Sequence, residues 1–94
     1  MKQSFIIDVR SPQEFASGHL DGAVNIPLEQ IQQGIDLLEG LEKTSQIMVY
    51  CRSGARSAVA RSILLQQGYD QVINGGSITT LQMNFKSAAN TPNV

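Results

Sequence analysis

The chain lacks several things that would have settled its class quickly. It has no tryptophan, one cysteine and one histidine in 94 residues. A single cysteine excludes an internal disulfide and cannot by itself build a thiolate metal site. Excess charge of either sign is also absent. A formal net charge of -1 and a pI near 5.6 give no electrostatic case for nucleic acid or an anionic membrane. Long apolar runs are missing too. Phe5-Ile6-Ile7 is too short for a signal core and is cut off by Asp8 and Arg10, and no run approaches membrane-spanning length. As written, the expected protein is soluble and cytoplasmic; a chain whose export signal had been replaced by a start methionine would read the same and be periplasmic. There is no repeat and no low-complexity linker. The length predicts one domain over 1–94, with an ordered core over 5–86, a frayed tail over 87–94 and a monomer as the default state.

What is present alternates between short apolar runs and helical patterns. Phe5-Ile6-Ile7-Asp8-Val9 predicts a buried strand. Ser11-Pro12-Gln13-Glu14 fits a helix start, with Ser11 as N-cap, Pro12 as first helical residue and Glu14 as the capping-box partner. Gly18 ends that helix, and Gly18 to Ala23 reads as a turn-rich connector. Val24-Asn25-Ile26 predicts a second strand, closed by Pro27. Leu28, Ile31, Ile35, Leu38 and Leu41 then form one helical apolar stripe, weakened at Gly34 and Gly40 and expected to serve core packing. Gln46 to Tyr50 is a third strand, and Ser57 to Gln67 a helix closed by Gly68. Val72-Ile73 predicts a last strand, Gly75-Gly76 a loop, and Thr79 to Phe85 a short helix. This alternation predicts an α/β domain with a small, mainly parallel sheet flanked by helices on both faces. Sites in such sheets lie at the carboxyl ends of strands, where Asp8 to Arg10, Cys51 and Gly75-Gly76 would converge.

The stretch that concentrates chemistry is Cys51-Arg52-Ser53-Gly54-Ala55-Arg56. It stands where the third strand hands over to a helix. Amides in such a turn can point inward as an anion cradle, with the positive end of the helix dipole behind them. Arg52 and Arg56 add positive charge. All of these favour thiolate over thiol and make Cys51 a candidate nucleophile rather than an inert core residue. Gly54 supplies a backbone angle barred to other residues, and Ala55 leaves the pocket open. Arg52 is expected at the pocket mouth, where it can help to bind an anion. Arg56 either orients the loop or an anionic donor, or forms an ion pair with Glu14 or Asp8. Asp8 and Arg10 are read as supporting residues that tie loops together.

The chain resembles the rhodanese-like domain family over almost its whole length. Three segments carry the resemblance: Ile7 to Phe15 running into Gly18-His19-Leu20-Asp21-Gly22-Ala23-Val24-Asn25-Ile26-Pro27; Val49 to Ser57; and Gly68-Tyr69-Asp70-Gln71-Val72 followed by Gly75-Gly76. Length and ending are similar to the single-domain bacterial members of the phage-shock-protein-E type. Many relatives carry a tryptophan four residues after the glycine pair, where this chain has Thr80. The resemblance implies a thiosulfate sulfurtransferase. Cys51 would take the outer sulfur of thiosulfate or another sulfane donor as a persulfide, and cyanide or a small or protein thiol would accept it. No metal and no cofactor is implied, and His19 belongs to a structural connector.

Two other classes fit less well. Protein tyrosine phosphatases and arsenate reductases also pair cysteine with arginine on an anion loop, but with one more residue between them than the four here, Arg52 to Ala55. The smaller ring suits a sulfur-bearing ligand better than a phosphoryl group. A non-catalytic interaction module on the same fold would usually have lost the cysteine that this chain keeps; a sulfur-carrier module is the remaining alternative on this fold.

Overall fold

The computed structural model describes residues 4–34, 38 and 40–83. Its centre is a four-stranded, wholly parallel sheet: β1 (Ser4–Asp8), β2 (Ala23–Asn25), β3 (Gln46–Cys51) and β4 (Gln71–Ser77), in the order β2-β1-β3-β4. Three helices lie between them, α1 (Pro12–Ala16), α2 (Leu28–Gln33) and α3 (Ala55–Gln66), and a fourth, α4, follows over 78–83. From β1 the chain steps outward to β2, then returns past β1 to add β3 and β4 on the other side. The carboxyl ends of β1 and β3 therefore flank the crevice where the strand order reverses, the usual place for a site in an open parallel sheet.

Alternation along the strands sorts the core onto two faces. Ile7, Val9, Ile47, Val49, Cys51 and Val72 pack with Ile31 of α2 and with Ala60 and Leu64 of α3. On the other face Tyr50 packs with Leu20 of the connector and with Ile78 and Leu81 of α4. The predicted architecture, a parallel sheet with helices on both faces, is the one observed.

Most boundaries moved by a residue, and three moved further. β4 runs on through Gly75 and Gly76 to Ser77, where a loop was expected. Its register against β3 jumps from Val49↔Asn74 to Tyr50↔Gly76, so Gly75 is an extra residue in a β-bulge. The bulge turns Gly75 toward Met48 and Leu81, where an added Cβ would lie 2.9 Å from the Met48 sulfur. Helix α3 starts at Ala55, not Ser57, because Gly54 takes the N-cap position at φ +97° and lets the chain enter the helix directly. The expected stripe is a helix only as far as Gln33, where Gly34 closes α2 at φ +69°. Leu38 and Leu41 still pack against the core, and Ile35 lies outside the described residues. The end of the expected C-terminal helix, at 84 and 85, and the expected tail over 87–94 also lie outside them.

Two polar devices fix the carboxyl end of the sheet. Asp8 is fully buried and accepts four hydrogen bonds from Arg10: one from the main-chain amide at 2.9 Å and three from the guanidinium between 2.7 and 3.0 Å. Arg10 also donates to the Gly18 carbonyl at 2.7 Å, and Asn25 donates to the carbonyls of Asp8 and Arg10, both at 2.9 Å. The Tyr50 hydroxyl accepts from the Leu20 amide at 3.1 Å, and burial, the dominant influence, pushes its acidity down to a pKa of about 12. Glu14 completes the predicted capping box, its Oε1 accepting from the Ser11 amide at 2.9 Å while the Ser11 hydroxyl accepts from the Glu14 amide at 3.2 Å. The same carboxylate grips Arg56 with two bonds of 2.8 and 3.0 Å, which ties α1 to the first turn of α3.

Two stability experiments follow from these contacts. Asp8→Ala leaves the Arg10 guanidinium buried without its anion and is expected to cost about 3–5 kcal/mol in urea unfolding; a loss below about 1 kcal/mol would contradict this placement. Glu14 is held at a pKa of about 2, below its ordinary 4.5, first by the Arg56 guanidinium and then by the Ser11 amide. A depressed carboxylate stabilises the fold above its unfolded pKa and loses that contribution as pH falls through the folded value. Glu14→Gln should therefore cost about 1 kcal/mol at neutral pH, a size set by the partial exposure of the pair. That deficit should close between pH 4.5 and about 2.

Candidate active site

Cys51 is the last residue of β3 and has no exposed surface. Beyond it the chain turns back over the sulfur and enters α3. The positive φ of Gly54 rotates its peptide so that the amide points inward, and an added Cβ there would meet the Gly76 backbone at 3.4 Å. The Gly54 amide donates to Cys51 Sγ at 2.9 Å and the Ser57 amide at 3.4 Å, while the Ser57 hydroxyl lies 3.5 Å away. Burial is the largest single influence on the thiol and pushes its pKa up. The Ser57 hydroxyl and the amides of Ser57, Ser53 and Gly54 pull the other way, and together they hold it below an ordinary thiol. The buried sulfur thus sits in a polar cradle, not sealed under hydrocarbon with the donors turned away.

The structure distributes the other predicted residues around this sulfur unevenly. Ser53 and Gly54 meet the sulfur through their amides, and Ala55 and Arg56 belong to the first turn of α3 rather than to a loop. Arg56 forms the ion pair with Glu14 at 2.8 Å. Arg52 is exposed and makes no hydrogen bond or ion pair among the described residues. The largest influences favouring the charged sulfur are the Ser57 hydroxyl and the amides of Ser57, Ser53 and Gly54, and Arg56 also interacts electrostatically with Cys51. Asp8 and Arg10 are occupied with each other and with the connector. His19 stacks on Phe15 with ring centroids 3.6 Å apart and donates from Nδ1 to the Phe15 carbonyl at 2.8 Å.

Two residues at the site escaped the sequence reading. Ser57 looked like the first position of a helix, and its hydroxyl is aimed at the sulfur only because the helix begins two residues earlier. Asn74 lay between a two-residue strand and a glycine pair, with nothing to mark it. Lengthening β4 and bulging it at Gly75 brings the Asn74 side chain to Ser57 and Gly54. No periodicity rule exposes such a contact; a polar residue directly before a glycine pair at a strand end was the only available signal.

Known proteins give an independent view of the same residues. The family model described as rhodanese-like domain matches residues 1–77, which include every element just described except α4. Thiosulfate sulfurtransferase PspE of Escherichia coli is 36% identical over 77 residues, covering 82% of this chain and 73% of that protein. A sulfurtransferase of Allochromatium vinosum is 41% identical over 75 residues, covering 78% of this chain and 67% of that one. Among solved structures, a rhodanese with anions from E. coli superposes with a TM-score of 0.72 at 35% identity, covering 81% of this chain and 88% of that one. A match of this extent, carried through the strand, turn and helix that hold Cys51, places the chain in the rhodanese-like domain family.

Proposed function

We propose that this protein is a sulfurtransferase that carries a sulfane sulfur on Cys51. The observation behind this reading is the inward turn of the Gly54 and Ser57 amides onto the Cys51 sulfur. That arrangement prepares a thiolate before any substrate arrives, so no separate general base is needed.

The reaction follows from a charged sulfur in a ring of donors. The Cys51 thiolate attacks the outer sulfur of thiosulfate or another persulfide donor. The donor's sulfur–sulfur bond breaks, and sulfite, or the donor's thiolate, leaves with the bonding pair. The persulfide that forms bears negative charge on its terminal sulfur, and preorganised amides stabilise charge that develops where they point. Cyanide or a thiolate acceptor then attacks that terminal sulfur and restores the Cys51 thiolate. Arg52, exposed beside the turn, is the cation available to draw an anionic donor to the mouth. The anions named with the similar E. coli rhodanese accord with a site of this kind. The four-residue spacing between Cys51 and Arg56 makes a smaller ring, which suits a sulfur-bearing ligand better than a phosphoryl group.

Intact mass after incubation with thiosulfate tests this. The protein should gain one sulfur atom, lose it on adding cyanide, and gain nothing as Cys51→Ser. No gain in a protein whose Cys51 still alkylates would overturn the reading, as would turnover of an aryl phosphate without sulfur transfer.

A further inference from the structure

Asn74 makes three contacts whose directions are unambiguous. The Gly76 amide can only donate, so the atom 2.9 Å from it is Asn74 Oδ1; the Gly54 carbonyl can only accept, so the atom 3.3 Å from it is Nδ2. With the amide oriented in this way, Oδ1 also accepts from the Ser57 hydroxyl at 2.6 Å. That is the shortest contact Ser57 makes: its oxygen is 3.1 Å from the Gly54 carbonyl and 3.5 Å from Cys51 Sγ. A hydroxyl carries one proton, so these acceptors compete for it. The Gly54 carbonyl is already supplied by the Ala58 amide at 3.0 Å and by Asn74, which leaves Asn74 Oδ1 and the sulfur as the effective rivals.

We propose that Asn74 is a positioning residue that decides whether the Ser57 hydroxyl proton points at the side-chain amide or at the Cys51 sulfur. While Cys51 is a thiol, Ser57 donates to Asn74 and its oxygen accepts from the thiol. When the sulfur loses its proton, the hydroxyl turns and donates to the thiolate. Asn74 Oδ1 keeps the Gly76 amide in both states and is never left without a partner, so the exchange leaves no buried polar atom unsatisfied. Asn74 therefore tempers the sulfur: it holds the proton that the charged form needs. This rests on Cys51 being the nucleophile of the proposed function and specifies how β4 regulates it.

The other charged groups around the sulfur are fixed in pairs or lie in solvent. Arg56 of α3 faces Glu14 of α1, and Asp8 and Arg10 at the end of β1 face each other, with the Tyr50 ring beside Arg10. Arg52 is exposed, and β4 brings no charged side chain, reading Gln71-Val72-Ile73-Asn74-Gly75-Gly76-Ser77. None of these changes when Asn74 or Ser57 is replaced by a neutral residue.

The test is the pH dependence of iodoacetamide alkylation of Cys51 in the full chain, for the wild type, Ser57→Ala, Asn74→Ala, Asn74→Asp and the two double variants, each checked for folding by circular dichroism. Ser57→Ala should raise the midpoint. Asn74→Ala should lower it by up to about one pH unit, the worth of one net hydrogen bond. Asn74→Asp, a stronger acceptor that also repels the thiolate, should raise it. Both Asn74 shifts should shrink in the Ser57→Ala background. Equal shifts in both backgrounds, or an upward shift for Asn74→Ala, would overturn the proposal. Should Asn74→Ala fail to fold, Asn74→Ser, neutral and shorter, takes its place with the same expected direction and the same comparison in the Ser57→Ala background. The midpoint reads proton affinity and not sulfur transfer, so its failure is distinct from an absent mass gain.

Discussion

Main-chain amides aimed at a buried sulfur are the contact on which the rest of the molecule depends. Burial alone would make Cys51 a weaker acid and an inert core residue. The cradle reverses that outcome with partial charges that move with the backbone and need no long side chain. Its geometry requires a residue at positive φ directly before a helix, and Gly54 supplies it. It also requires only three residues between the end of β3 and the start of α3, so that Arg52, Ser53 and Gly54 can close over one side chain.

The surrounding structure works to hold that turn in place. Asp8 and Arg10 lock the end of β1 beside β3, and Tyr50, opposite Asp8 in the sheet, anchors the connector through Leu20. Glu14 serves twice, capping α1 and gripping Arg56, so that the first helix braces the first turn of the third. On the far side the bulge in β4 brings Asn74 against Ser57 and Gly54. Three strands and two helices thus converge on a single loop through hydrogen bonds. The charge at the site is consequently local, which is how a chain of net charge -1 can still present an anion-binding turn.

The sequence disclosed what depends on local pattern. The capping box at Ser11 and Glu14, the β-strand ahead of Cys51, the glycine that closes α3 and the alternation that specifies a parallel sheet all follow from residue type and spacing. It disclosed poorly what depends on register. The glycine pair at 75 and 76 carries the signature of a turn, yet pairing with β3 keeps it in the sheet, and the bulge that results has no sequence marker of its own. Ser57 and Asn74 were invisible for that reason, since their roles arise from which strand lies beside which helix. Formal charges are conspicuous in a sequence, whereas amide dipoles are not, and only coordinates show that Glu14 takes Arg56.

The account's central claim concerns the charge on one sulfur, and the ultraviolet absorbance of the thiolate measures it directly. Titration of the folded wild type, with Cys51→Ser as the blank, should show a single step below the ordinary cysteine value of about 8.5. A step at or above that value would mean that burial outweighs the amide cradle, and the account would fail at its foundation.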